Sequence, residues 1–258
     1  MSIARILTLA AALAALGTEA AAQTPAATDP PAAIPGMLPG GAVQPVHDQE
    51  IFAHLFFNEL EGRFIGSNSE FRWEGQGWLG TDYDKLWIKS EGTLQGNGTL
   101  DDGQHQFLYS RAITTYFDLQ GGLRSDIDSR PTRNWGALGI QGLAPYFFDL
   151  ELTGYASGEG HLAAKLEASY DLLLTQQLIL QPQVELNVYS KADPARMVGA
   201  GFSDIDTGLR LRYEIDRKFA PYIGVVYEGK FGQTANFARR AGESTGDVRF
   251  VLGIRTWF

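Results

Sequence analysis

The chain has no cysteine among its 258 residues, and only four histidines and three methionines. Disulfides, thiolate metal sites and cysteine nucleophiles are thereby excluded, so the fold must hold without cross-links. Positive charge is scarce: 21 Lys and Arg stand against 30 Asp and Glu, a formal net charge of -9. That balance offers no basic surplus to neutralise phosphates, which excludes nucleic acid as a partner. Also missing is any apolar run of about 18 residues, the length a transmembrane helix needs. A membrane location would then require strands closed into a barrel.

What is present begins with an export signal, expected over residues 1–22. Arg5 supplies the basic start, an apolar run from Ile6 to Leu16 is too short to span a bilayer, and Ala20-Ala21-Ala22 offers a cleavage site before Gln23. Residues 23–46 are rich in Pro, Ala and Gly and cannot bury a core, so a disordered segment is expected there. The ordered body is expected over residues 47–258.

That body has period two. In the last segment Val248, Phe250, Leu252, Ile254, Thr256 and Phe258 share one face, and Arg249, Val251, Gly253, Arg255 and Trp257 the other. Leu162–Leu172 and Asp204–Glu214 alternate in the same way, with charges on one face. Runs of this length approach the ~9–11 residues that cross a bilayer at a tilt. Breaks such as Gln95–Gln104, Ser125–Asn134, Ser190–Ser203 and Gly232–Thr245 divide the body into about 12 strands, with long and short connections tending to alternate. The expected fold is all-β: a transmembrane, antiparallel, up-and-down β-barrel with both chain ends on the periplasmic side.

In such a barrel the apolar face meets lipid and the charged face lines the lumen. Parity assigns inward the acids Glu59, Glu61, Glu74, Glu91, Asp149, Glu151, Glu167, Glu185 and Glu214, with Arg63, Arg72, Lys89, Arg111, Lys165, Arg210 and Arg212 among the bases. These chains either pair across the lumen and fill it or line a narrow cation path. Rings near strand ends, among them Trp73, Trp78, Trp87, Trp135, Tyr146, Tyr222 and Trp257, are expected at the headgroup level. Pro182 interrupts an otherwise good strand over Leu178–Tyr189, so a bulge or the strand's periplasmic start is expected there.

Long stretches of the chain resemble the copper resistance protein B family of outer-membrane proteins. They are residues 73–80 (WEGQGWLG), 85–92 (KLWIKSEG), 139–148 (GIQGLAPYFF), 170–187 (YDLLLTQQLILQPQVELN), 206–215 (DTGLRLRYEI), 219–225 (FAPYIGV) and 231–238 (FGQTANFA). The resemblance spans roughly residues 47 to 258. It implies copper resistance at the outer membrane, with copper ions bound or passed, and periplasmic copper-handling partners such as a copper oxidase or a copper-binding protein. Many members carry a His- and Met-rich segment before the barrel. Residues 23–46 hold only Met37 and no histidine, which departs from that pattern.

Copper favours imidazole, with thioether for Cu(I) and oxygen for Cu(II). The candidate ligands are His47, Asp48 and His54, with Glu50 beside them, where the tail meets the first strand. His105 and His161 are expected at the outer rim, and Met197 in a long loop. No organic cofactor and no catalytic residue are indicated. Two alternatives stand beside copper handling. One is a barrel enzyme acting on envelope lipid or peptide through His105 or His161 with Ser110 or Ser157; the other is a narrow non-specific pore.

Overall fold

The computed structural model describes residues 50–66 and 68–258, and among these twelve antiparallel strands close into one barrel. They are β1 (Phe52–Ile65), β2 (Asn68–Gly80), β3 (Asp84–Gln95), β4 (Leu100–Ala112), β5 (Phe117–Asp126), β6 (Arg133–Ala144), β7 (Phe148–Ser157), β8 (Leu162–Tyr170), β9 (Leu178–Tyr189), β10 (Gly201–Tyr213), β11 (Phe219–Lys230) and β12 (Gly246–Trp257). Leu172–Leu173 continues β8 and pairs with β9. Each strand pairs with the next, and β12 returns to β1 from Phe56↔Trp257 to Phe64↔Phe250. Leu55 and Phe258 exchange backbone hydrogen bonds of 3.1 and 2.9 Å at the closing seam. Closure leaves no open edge, the condition for strands in lipid. Residues 1–22 and 23–46, with Met37, lie outside the described residues, as do His47 and Asp48.

The alternation sorts the side chains as expected. Phe71, Leu86, Phe107, Leu123, Leu138 and Phe250 are exposed on the outer wall. Burying such apolar surface is worth ~25 cal/mol per Å². No second layer covers this wall, so lipid is the medium that satisfies it. The opposite residues of the same strands, among them Glu61, Arg72, Glu91, Gln120 and Arg124, are buried in the bore.

The connections at the end holding the termini (81–83, 113–116, 145–147, 174–177, 214–218) are all short, while the far end carries the longest, 190–200 and 231–245. Two connections differ from expectation. β4 begins at Leu100, earlier than the expected break allowed. The stretch expected as a loop after Gly232 contains a helix, α1 (Gly232–Ala241), ended by Gly242 in the left-handed region at φ 77°. Thr234, Ala235 and Ala238 form its buried face. Thr234 Oγ1 accepts a hydrogen bond from the Gly199 N–H at 2.8 Å and lies 2.9 Å from Ser203 Oγ, which seats the helix on β10.

Pro182 sits within β9 opposite Leu209, and the register does not shift there, so there is no bulge at this position. The accommodation lies in the neighbour instead. β8 pairs with β9 from Tyr189↔Ala163 to Gln183↔Ser169, and pairing resumes only at Leu180↔Leu172. The ladder is interrupted where the proline has no N–H to give. A real bulge occurs in β1, where the register against both β2 and β12 shifts after Phe57.

Candidate functional site in the barrel bore

The β1 bulge decides what the mouth at the termini end presents. Glu59, Glu61 and Arg63 point inward, and simple parity would then turn His54 toward lipid. The extra residue resets the phase. Asn58 and Glu59 both line the bore, and His54 faces inward with Phe56. Its imidazole packs against Phe56 (centroids 5.1 Å), Trp78 (5.6 Å) and Trp257 (5.4 Å). Its Nδ1 is buried with no hydrogen-bond partner among the described residues. Five rings expected at the headgroup level thus belong to the bore: Trp78, Trp87, Trp135, Tyr222 and Trp257. Tyr116, Tyr146, Phe147 and Phe258 remain exposed at the termini end.

Above this aromatic mouth the bore is filled by ion pairs. Arg63 is 1% exposed and lies 2.7 Å from Glu61, 2.7 Å from Asp206 and 3.4 Å from Glu59, with Glu228 also in contact. Arg210 reaches Glu59 at 2.7 Å and Glu61 at 3.0 Å, and the Tyr222 hydroxyl donates to Glu61 at 2.9 Å. Arg72 contacts Glu59 (3.1 Å), Glu185 (3.3 Å) and Glu91 (3.8 Å). Lys165 donates to both Glu91 oxygens at 2.7 and 2.9 Å, and lies 2.5 Å from Glu167 and 3.5 Å from Glu185. Lys89 holds Glu151 at 2.6 Å and Gln141 at 2.9 Å. Each of these charges is compensated by a partner, the condition for keeping it in a low-dielectric interior.

Between the mouth and these pairs lies a cavity of about 350 Å³. Six carboxylates line it (Glu59, Glu74, Glu91, Asp149, Glu151, Glu167) against four basic groups (Lys89, Lys165, Arg210, Arg255). Glu74 accepts a hydrogen bond from the Asn58 amide at 2.8 Å, and neither it nor Asp149 pairs with a basic side chain among the described residues. The local field therefore favours a cation. Glu185 belongs to the wall through Arg72 and Lys165, and Glu214 lies beyond β10, 3.7 Å from Arg212.

Some expected positions are corrected. Arg111 does not face the lumen: its side chain is 68% exposed and lies 3.9 Å from Asp84, because in β4 the even positions Gln104, Gln106, Leu108 and Ser110 turn inward. His105 lies five residues into β4, away from the outer rim. It shares the face of exposed Phe107 and Tyr109, and its Nδ1 is 3.1 Å from Ser90 Oγ, which also accepts from Trp73 Nε1 at 3.1 Å. Ser110 is buried on the opposite face beside Asp118, so it cannot serve His105.

At the far end the 190–200 connection folds over the bore. Arg196 donates to Asp128 at 2.7 Å and to the Pro131 carbonyl at 2.5 Å, while Arg133 meets Asp193 at 2.5 Å. Arg124 pairs with Asp126 at 2.7 Å and stacks over Tyr155. This latch leaves a cavity of about 40 Å³, with His161 in its wall. Met197 follows Arg196 in the left-handed region at φ 60°. Sequence reading missed Arg196, Asp126 and Asp128, because all three lie in stretches taken for solvent-facing connections. His161 was correctly placed at the rim.

The chain has relatives among known proteins. The chain is 42% identical to the copper resistance protein B of Escherichia coli over 86% of this chain and 74% of that protein. It is also 42% identical to a copper resistance protein B homolog of Pseudomonas syringae pv. tomato, over 83% and 72%. Among solved structures, a NanC porin aligns at 11% identity and a TM-score of 0.49, covering 80% of this chain and 99% of that one. The family model described as copper resistance protein B precursor matches residues 51–258, the whole barrel. The chain belongs to the copper resistance protein B family.

Proposed function

We propose that this protein serves copper resistance from the outer membrane, binding copper ions at the periplasmic mouth of its bore and admitting them to the acid-lined cavity behind it. His54 carries this reading: an inward imidazole whose Nδ1 has no partner among the described residues, held among three aromatic rings at the mouth. Neutral imidazole is a good copper ligand. His47 and Asp48, a few residues upstream, are the proposed companions in the ligand set. The lumen acids Glu59, Glu61, Glu74, Glu91, Asp149, Glu151, Glu167, Glu185 and Glu214 are the proposed cation-attracting wall. An export signal and an apolar outer wall support the outer membrane as the location, and lipid as the surrounding partner. A periplasmic copper oxidase or copper-binding protein is the proposed donor or acceptor at the mouth.

The role is read as non-enzymatic. Ser90 and His105 are within hydrogen-bond reach, but they sit on the wall with Trp73, and Ser90 serves both neighbours. No carboxylate hydrogen-bonds the His105 ring among the described residues, so the third group that would orient a base is missing.

Copper titration of the purified chain, followed by tryptophan fluorescence, tests the site. Trp78 and Trp257 lie against His54, so the wild type should show saturable quenching. His54→Phe keeps a ring in the stack and should abolish it, while His47→Ala should weaken it. Unchanged copper tolerance in a strain lacking the protein would sink the wider reading.

A further inference from the structure

Carboxylate oxygens, one each from Glu91, Glu167 and Glu185, lie within 4.8 Å of one another, close enough to share one cation. The Lys165 ammonium sits among them, with contacts of 2.5 to 3.5 Å. The arrangement crosses the barrel, since Glu91 stands on β3 whereas Lys165, Glu167 and Glu185 stand on β8 and β9. A second observation points to a ligand in the same place. Gln106 is 4% exposed, lines the adjoining cavity, and its Oε1 has no hydrogen-bond partner among the described residues. Gln104 Oε1 is likewise buried without a partner, and Gln104 is the register partner of Glu91. The three carboxylates share one place and the two spare amide oxygens line the cavity that Glu91 and Glu167 also line; all five are oxygen donors, the kind hard divalent cations take.

We propose that Lys165 is a tethered cation occupying this site, and that a metal ion moving through the bore must displace its ammonium to pass. The lysine then gates the bore. With the ammonium in place the carboxylates are compensated and the crossbar is shut. A cation arriving from the 350 Å³ cavity offers the same carboxylates a replacement charge and meets the Gln104 and Gln106 oxygens, which the ammonium leaves unused. Displaced, the four-carbon stem can swing toward the cavity, where Glu74, the register partner of Glu91, lacks a basic partner among the described residues and can receive it. Lysine suits the task better than arginine, because its charge is compact and its stem flexible. Identifying the moving ion as copper rests on the proposed function. The gate itself does not, and is therefore tested with a different ion.

Mn²⁺ is the probe, its binding to the purified chain read by electron paramagnetic resonance. Lys165→Met removes the competing charge and should tighten Mn²⁺ binding several-fold. Adding Glu167→Gln should remove most of that gain, and Lys165→Arg should show none. In the wild-type protein, where folding is not in question, Mn²⁺ should raise the rate at which an amine reagent labels Lys165 several-fold relative to Lys218 outside the bore. Equal Mn²⁺ affinity in Lys165→Met and wild type overturns the gate. So does Lys165 labelling that Mn²⁺ leaves unchanged, which decides the matter if the methionine variant does not fold. Absence of copper quenching in the wild-type protein with these Mn²⁺ results intact would remove the copper reading and leave the gate standing.

Discussion

Arg63 shows what a single residue does in this bore. Its guanidinium contacts carboxylates from β1, β10 and β11 and so ties three strands together across the closing seam. Arginine is suited to this because its planar fork presents five donors in fixed directions. Removing it strands several acids without their charge partner, and breaking one side of a buried ion network costs about 3–5 kcal/mol. Arg63→Ala should therefore lower the urea midpoint for refolding into lipid vesicles markedly, whereas Arg111→Ala, on an exposed side chain, should leave it almost unchanged. Most inward acids were legible at this scale, because a charge on one face of an alternating strand has nowhere else to go in a barrel. The partners were not legible. Lys165 and Glu91 are 74 positions apart, and nothing local in either segment records that they meet.

β1 shows how one element resets the meaning of its own pattern. Its outer half follows strict alternation, and parity placed Glu59, Glu61 and Arg63 correctly. The bulge after Phe57 leaves no mark in the residue types, since Asn58 and Glu59 read as ordinary polar positions on either face. That is why the inward turn of His54, the residue on which the proposed copper site depends, could not be derived from spacing. Trp78 and Trp257 were misplaced for a related reason: an aromatic near a strand end suits either the headgroup level or a plugged mouth. Deleting Asn58 should remove the bulge and leave His54 and Phe56 on the bore side, since His54 then stands four positions from Glu59. The expected result is a barrel that still folds, seen as heat-modifiable mobility on a gel, and keeps copper-dependent quenching, whereas deleting Leu55, which turns His54 to the wall, should abolish it. Full quenching in the Leu55 deletion would show that the inward turn of His54 does not make the site.

At the scale of the whole molecule, twelve strands set a circumference, and its contents decide whether it conducts. The strand count and closure were readable from the number of alternating runs and the breaks between them, because each run needs two neighbours and only closure gives them to the first and the last. Whether the lumen is open was not readable, since a charged inner face suits a water-filled channel as well as a salt-bridged plug. The structure favours the plug. Trp87, Leu108, Trp135, Ala137 and Tyr155 form an apolar cluster inside one half of the barrel, and Tyr222, Val226 and Val251 pack in the other. The Lys165 and Arg72 crossbar stands between them, and the latch of Arg196 and Asp128 shuts the far end. The two cavities, about 350 and 40 Å³, give ions no wide aqueous route. In a planar lipid bilayer the wild-type protein should therefore conduct potassium chloride far less than an open barrel of equal strand number. Arg196→Ala should raise that conductance only slightly, because the crossbar remains. A steady, large, unselective current through the wild type would contradict both the plug and the gated cation path built on it.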